Sequence, residues 1–249
     1  MIGIYNEILY RPLFNIMVYL QGVIPGGDLG LTIVVLTVLI RVLFSPLSLK
    51  TIKSQQSMKE LSPKIEEVKA KFKDDKAAQS AAIMKLYKDN NVNPLAGCLP
   101  LLIQLPILIA LYQVFIRGIT PESLTLLYGF ISAPEVIHHN FLGIFDVTAR
   151  SRLLTLFAGG FQFIQSKQSM ALQADGGDSP AGGKEMAALS KQMLYFFPIM
   201  IIIIGWNLPA GLILYWIATT VFSVFEQTYI RGKSTKPRHA QNTDRMSNS

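Results

Sequence analysis

The sequence predicts an all-α integral membrane protein: five transmembrane helices around a polar groove, with a cytoplasmic helical hairpin and an amino-terminal interfacial helix. Three observations carry that prediction. Half of the 249 residues are hydrophobic and only 16% are charged, where a soluble domain carries about 25%. Several apolar runs approach the ~20 residues that a helix needs to cross a hydrocarbon core roughly 30 Å thick. Ten lysines crowd into residues 50–92 against six acids, so much of the positive charge behind the net +7 sits in one place. The single cysteine, Cys98, excludes an intramolecular disulfide and reads as a small packing residue.

Residues 1–28 read as an external interfacial amphipathic helix and a turn. A signal peptide wants positive charge ahead of its apolar run, but here Glu7 precedes Arg11 and Pro12 splits the run. Asn6, Glu7, Arg11, Asn15 and Gln21 interleave with apolar residues, as in a helix lying on a membrane. Pro25-Gly26-Gly27-Asp28 then turns the chain. The insertable core follows over 29–231, and its first span is 29–48. That span carries Arg41, about 13 Å inward from Lys50 at helical rise. A charge at such depth costs at least ~2.5–3.5 kcal/mol unless something offsets it. Thr37, Arg41, Ser45 and Ser48 recur every three or four residues and so share a face. Two readings stand: an arginine snorkelling to headgroups, or one lining a polar groove.

Residues 50–92 form the charged hairpin. Ser62-Pro63 reads as a helix start, followed by Ile65, Val68 and Phe72 at helical spacing. Asp74-Asp75 breaks the pattern, and Ala77, Ala81, Met84 and Tyr87 make a second narrow stripe. The lysines either fix topology as a solvated face or also receive partners; both place the hairpin in the cytoplasm. The second span, 95–116, contains Gln104 between Pro100 and Pro106, which predict kinks that neighbouring groups must satisfy. Residues 117–152 form an external segment, in which the pair His138-His139 reads as incidental rather than as a metal site.

The third span covers 153–168, with Ser151, Thr155, Gln162, Gln165 and Ser169 along one face and Gly159-Gly160 allowing close helix approach. A cytoplasmic loop is expected over 169–189. The last two spans fall at 190–206 and 208–228, with apolar cores at 193–206 and 208–225 and a turn at Asn207–Gly211. Trp216, Thr219, Thr220, Ser223 and Gln227 lie on or near one face of the last. Residues 232–249 read as a basic, disordered cytoplasmic tail. Five spans put the amino end outside and the carboxyl end inside, which brings the hairpin and tail to one side, as the sign rule also does.

No Asp or Glu occurs in 29–48, 95–116, 153–168, 193–206 or 208–225, so Arg41 is expected to lack an acidic partner in the membrane. An arginine held by water, hydroxyls and amides is poised to receive negative charge from elsewhere. The spans hold no nucleophile–base pair, metal-ligand set or phosphate-binding loop. No cofactor, metal or chemical catalysis is therefore expected, nor a specific nucleic-acid partner. From the residues alone, an anion channel or small-solute transporter using Arg41 competes with a machine that handles polypeptides.

The runs IRVLFSPLS, LSPKIEEVKAKFKDD, NPLAGCLPLLIQLPILIALY, FIQ and FFPIM…NLPAGLILYW decide between them. The chain resembles the YidC membrane-protein insertase family, found in bacteria with relatives in mitochondria and chloroplasts, over about residues 5–231. The resemblance implies a groove open to cytoplasm and lipid but closed outside, into which Arg41 attracts acidic residues of a client's short external tail. Gln165 and Trp216 match the family's other groove-lining positions. Helical phase adds Gln104, Thr37, Ser45, Gln162, Thr155 and Thr219. Implied partners are nascent membrane proteins, the ribosome, the Sec translocon and the lipid bilayer. The large external domain of many Gram-negative members is not seen, nor is a lipoprotein-type amino-terminal cysteine. The opening residues are not Arg- and Ser-rich like a transit peptide, which points to a bacterial plasma membrane.

Overall fold

A computed structural model describes residues 2–93, 99–117, 120–133, 138–173 and 183–234. The chain opens with α1 (Ile2–Tyr5), a π-helical turn (Asn6–Tyr10) and α2 (Arg11–Val23). A short turn at Pro25–Gly27 leads to α3 (Leu29–Lys71), and α4 (Lys76–Asp89) folds back beside it. There follow α5 (Leu99–Arg117), the one-turn α6 (Pro121–Leu124), the paired strands β1 (Asn140–Phe141) and β2 (Phe145–Asp146), α7 (Arg152–Gln173), α8 (Gly183–Gly205) and α9 (Ala210–Ser234).

Asp28 starts α3. Its Oδ1 accepts the Leu31 amide (2.7 Å) and its Oδ2 the Leu142 amide (2.6 Å), so one side chain caps the helix and ties it to the β-hairpin. At Gly30 the Phe141 side chain comes so close that a Cβ would lie 2.4 Å from it. Arg11 and Asn15 fasten the amino-terminal helix to the segment that follows α6. Arg11 Nε donates to the Leu126 carbonyl (3.0 Å), and Asn15 donates to the same carbonyl (3.0 Å) while accepting the Tyr128 amide (2.7 Å). Asn15 and Gln21, two of the polar residues expected at a headgroup surface, are thus buried. The opposite face exposes Ile4, Ile8, Ile16, Tyr19 and Val23.

The contacts give each long helix its direction. Arg41 meets Thr219 and Ser48 meets Glu226, both with a sequence offset of 178, so α3 and α9 run parallel in register. Gln162 with Trp216, Gln168 with Val224, and Ser169 with Gln227 put α7 parallel to α9 as well. Thr155 with Gly205 and Phe163 with Tyr195 make α8 antiparallel to α7. Gly159 lets that pair close up, since a Cβ there would lie 2.6 Å from Ile202. Gln104 with Tyr215 and Phe115 with Gly211 set α5 antiparallel to α9. Five helices therefore alternate in direction.

The main core gathers Tyr10, Phe14 and Val18 of the amino-terminal helix, Ile33 and Leu36 of α3, Leu111 of α5, and Leu212 and Tyr215 of α9. It fills the end of the bundle that carries α6 and the β-hairpin. The outer faces are apolar and uncovered: Val42 and Leu43 on α3, Ile109 on α5, Phe157 on α7, Ile203 on α8 and Phe225 on α9 are all exposed. Surfaces of that kind call for lipid. Among the described residues, two helices are long and apolar enough to cross a membrane, Leu29–Met58 and Ala210–Ile230, with shorter apolar stretches at Gln104–Phe115 and Leu194–Gly205. Gln162, Gln165, Lys167 and Gln168 dilute α7 below that test.

Several expected boundaries move. Pro63 does not start a helix: α3 runs unbroken for 43 residues through both Pro46 and Pro63. Each proline forfeits one backbone bond, but the helix formers around Pro63 and the packing of α4 outweigh that loss. The expected break at Asp74-Asp75 lies between α3 and α4, with Asp75 capping α4 through the Ala78 amide (2.9 Å). Pro100 sits at the second position of α5, where its missing N–H costs nothing, and α5 continues through Pro106. Helices occupy both ends of the expected 169–189 loop, leaving 174–182 outside the described residues, as are Cys98 and the tail beyond 234. His138 and His139 take part through their carbonyls, which accept the Leu29 and Val147 amides (3.1 and 2.8 Å).

A candidate polar recess between α3, α5 and α9

An arginine in the apolar part of a helix must find donor-compatible surroundings, and the parallel packing of α3 on α9 supplies them. Arg41 Nη2 donates to the Thr219 carbonyl (3.0 Å), and the guanidinium lies over the Phe222 ring at 5.6 Å. Its Nε is buried without a hydrogen-bond partner. A small recess of about 40 Å³ opens beside it, lined by Arg41, Ser48, Thr51 and Gln104 with Ile40, Phe44, Leu47 and Ile107. Gln104 donates to the Tyr215 hydroxyl, which fixes one wall of the recess to α9. Core residues Ile33 and Leu36 precede Arg41 along α3, whereas Ser48, Thr51 and the hairpin follow it. The recess thus lies on the hairpin side of the core.

Other expected groove residues lie outside the recess lining and divide into three sets. Trp216 Nε1 donates to Gln162 Oε1 (3.1 Å), a second polar link between α9 and α7. Gln165 and Ser45 are half-buried and make no hydrogen bond among the described residues. Thr37 and Thr155 are buried, and their hydroxyls are occupied by backbone. Thr37 donates to the Ile33 carbonyl (2.6 Å), and Thr155 to the Ser151 and Gly205 carbonyls (3.0 and 3.3 Å). Both serve helix packing in this conformation, and neither lines the recess with Arg41.

One expectation is overturned. Arg41 does have an acidic neighbour. Because α9 continues to Ser234, Glu226 lies inside the helix, buried, with Oε2 accepting from Ser48 Oγ (2.8 Å). Arg41 and Glu226 form no ion pair among the described residues. Glu226 directly follows Phe225, the last residue of the apolar run. Equal spacing was the available signal: Glu226 follows Thr219 by seven residues, as Ser48 follows Arg41.

Comparison with known proteins agrees with this architecture. The family model described as "60Kd inner membrane protein" matches residues 19–237. The membrane protein insertase YidC of Fusobacterium nucleatum is 35% identical over 207 residues, covering 83% of this chain and 88% of that protein. Its counterpart in Oceanobacillus iheyensis is 34% identical over 92% of this chain and 84% of its own length. Against the Legionella pneumophila (strain Corby) YidC the identity is 37%, and this chain spans 36% of that longer protein. A crystal structure of an active YidC insertase with its first transmembrane domain resolved superposes with a TM-score of 0.59 at 26% identity, over 89% of this chain and 45% of that one. The chain belongs to the 60Kd inner membrane protein family, to which these YidC membrane protein insertases are its relatives.

Proposed function

We propose that this protein is a membrane protein insertase that receives nascent membrane proteins and passes their transmembrane segments and short external tails into and across the bilayer. The observation that carries the reading is the placement of Arg41 in a polar recess on the hairpin side of a closed apolar core. Such a recess admits a polar tail part-way into the membrane, where Arg41 neutralises an acidic residue, while the core seals the far end. Five alternating helix directions support five spans, with the amino end outside and the lysine-rich hairpin in the bacterial cytoplasm. The hairpin and basic tail are suited to docking clients and the anionic ribosome, and the exposed apolar flanks to a translocon or lipid.

A through-channel for small anions fits less well, because the core closes one end. Liposomes containing only this protein separate the two readings. Insertion of a single-span test protein, with crosslinks from Arg41, Gln104 and Trp216 positions to the nascent chain, is the expected result. Uptake of small anions without insertion would establish the transporter instead.

A further inference from the structure

Behind Ser48, at the edge of the recess, lies a feature that capture of acidic tails does not use. Glu226 is 6% exposed, yet only one of its carboxyl oxygens is satisfied: Ser48 Oγ donates to Oε2 at 2.8 Å, and Oε1 is buried with no hydrogen-bond partner. A buried acceptor left unpaired is a standing cost that any arriving donor removes, and the gain is larger when the donor is charged. Ser48 itself lines the recess together with Arg41. The parallel register puts Glu226 two helical turns beyond Arg41 toward the hairpin, about 10 Å along the axis. A tail entering from the hairpin side therefore reaches the level of Glu226 before that of Arg41.

From this we infer that Glu226 is a specificity-determining residue of the recess, which binds a cationic group of the client tail, a lysine, an arginine or a free amino terminus. Resting on the insertase reading above, it gives the recess two charge-reading levels of opposite sign. Glu226 accepts a donor at its free oxygen and disfavours a second carboxylate beside it, while Arg41 takes the acid. Tails with one charge of each sign, spaced to reach both levels, fit best. Strongly acidic tails are opposed at the entrance by like charge.

The test uses the full chain in liposomes with three clients that share one apolar span and differ only in a short tail: neutral, one lysine, or one aspartate. Glu226→Gln keeps the shape and an oxygen for Ser48 but removes the charge. Its expected effect is a drop of about tenfold in the ratio of lysine-tail to aspartate-tail insertion, the lower end of what a hydrogen bond to a charged group is worth. Ser48→Ala, which releases the held oxygen and keeps the charge, should move the ratio the opposite way by a smaller factor. An unchanged ratio in Glu226→Gln, or an equal loss for all three tails, would overturn the inference and leave Glu226 as a strap between two helices. Failure of the wild-type protein to insert even the neutral-tail client would be a different result, one against the insertase reading itself.

Discussion

Arg41 contributes both a charge and a geometry, and the two can be separated. Its planar fork reaches the Thr219 carbonyl and covers Phe222, contacts that a lysine ammonium on a flexible stem reproduces only in part. If charge capture governs insertion, Arg41→Lys should stay within about threefold of wild type for acidic-tail clients. Arg41→Ala should fall by at least about tenfold, the value of one lost charge-assisted contact. Equal losses in both variants, measured by protease protection of the tail in liposomes, would assign the role to geometry. At the start of α3, Asp28 is a purely structural site. Asp28→Ala removes the cap on Leu31 and the tie to Leu142, so it should destabilise the protein by about 1–2 kcal/mol, seen as a lower melting temperature in detergent. Asp28→Asn keeps an acceptor oxygen and should lose less.

Among the elements, the hairpin is the least consolidated. None of the residues of α4 is buried, and the hairpin is held to itself by bonds such as Gln79 Nε2 to the Lys69 carbonyl (3.0 Å). Few buried contacts mean a low local free energy of opening, as suits an element that must receive varied clients. Deleting about residues 60–88 should impair insertion while leaving the bundle folded, read by intact melting behaviour together with lost client protection. Wild-type insertion by that deletion would leave the lysines a topological role alone. The hairpin was also legible in the sequence, because its lysines and short apolar stripes contrast so sharply with the spans. Arg41 stood out for the same reason: a lone charge within 20 apolar residues breaks a pattern. What stayed hidden depends on contacts between distant segments. Pro63 looks like a helix start locally, and the helix formers around it together with the packing of α4 carry α3 past it. The burial of Asn15 depends on Leu126 and Tyr128, more than a hundred residues away. Thr37 and Thr155 share a helix face with groove residues, yet phase alone does not show that backbone carbonyls already occupy their hydroxyls. Glu226 sits just past the apolar core that ends at Phe225, where the apolar run stops but the helix does not.

Taken whole, the molecule has a polar recess beside its apolar core, and under the insertase reading the work is expected to come from the client. Burying a client helix yields ~25 cal/mol per Å² of apolar surface, which for about 20 residues comes to tens of kcal/mol before backbone desolvation is set against it. Carrying one carboxylate through the membrane costs at least ~2.5–3.5 kcal/mol, a term Arg41 offsets by attraction and the recess by partial hydration. The comparison leaves room for one or two charges. It does not leave room for many, since the recess offers a single cation among its lining side chains. Insertion should therefore fall steeply as aspartates are added one by one to the tail of a fixed client, with the largest step after the first or second. Lengthening a neutral tail should cause a shallower decline, because each added peptide group costs less than a charge. Both series belong in liposomes holding only this protein and no nucleotide. Dependence on ATP would contradict a mechanism driven by the client's own burial, and a flat response to tail charge would show that the tail does not pass Arg41.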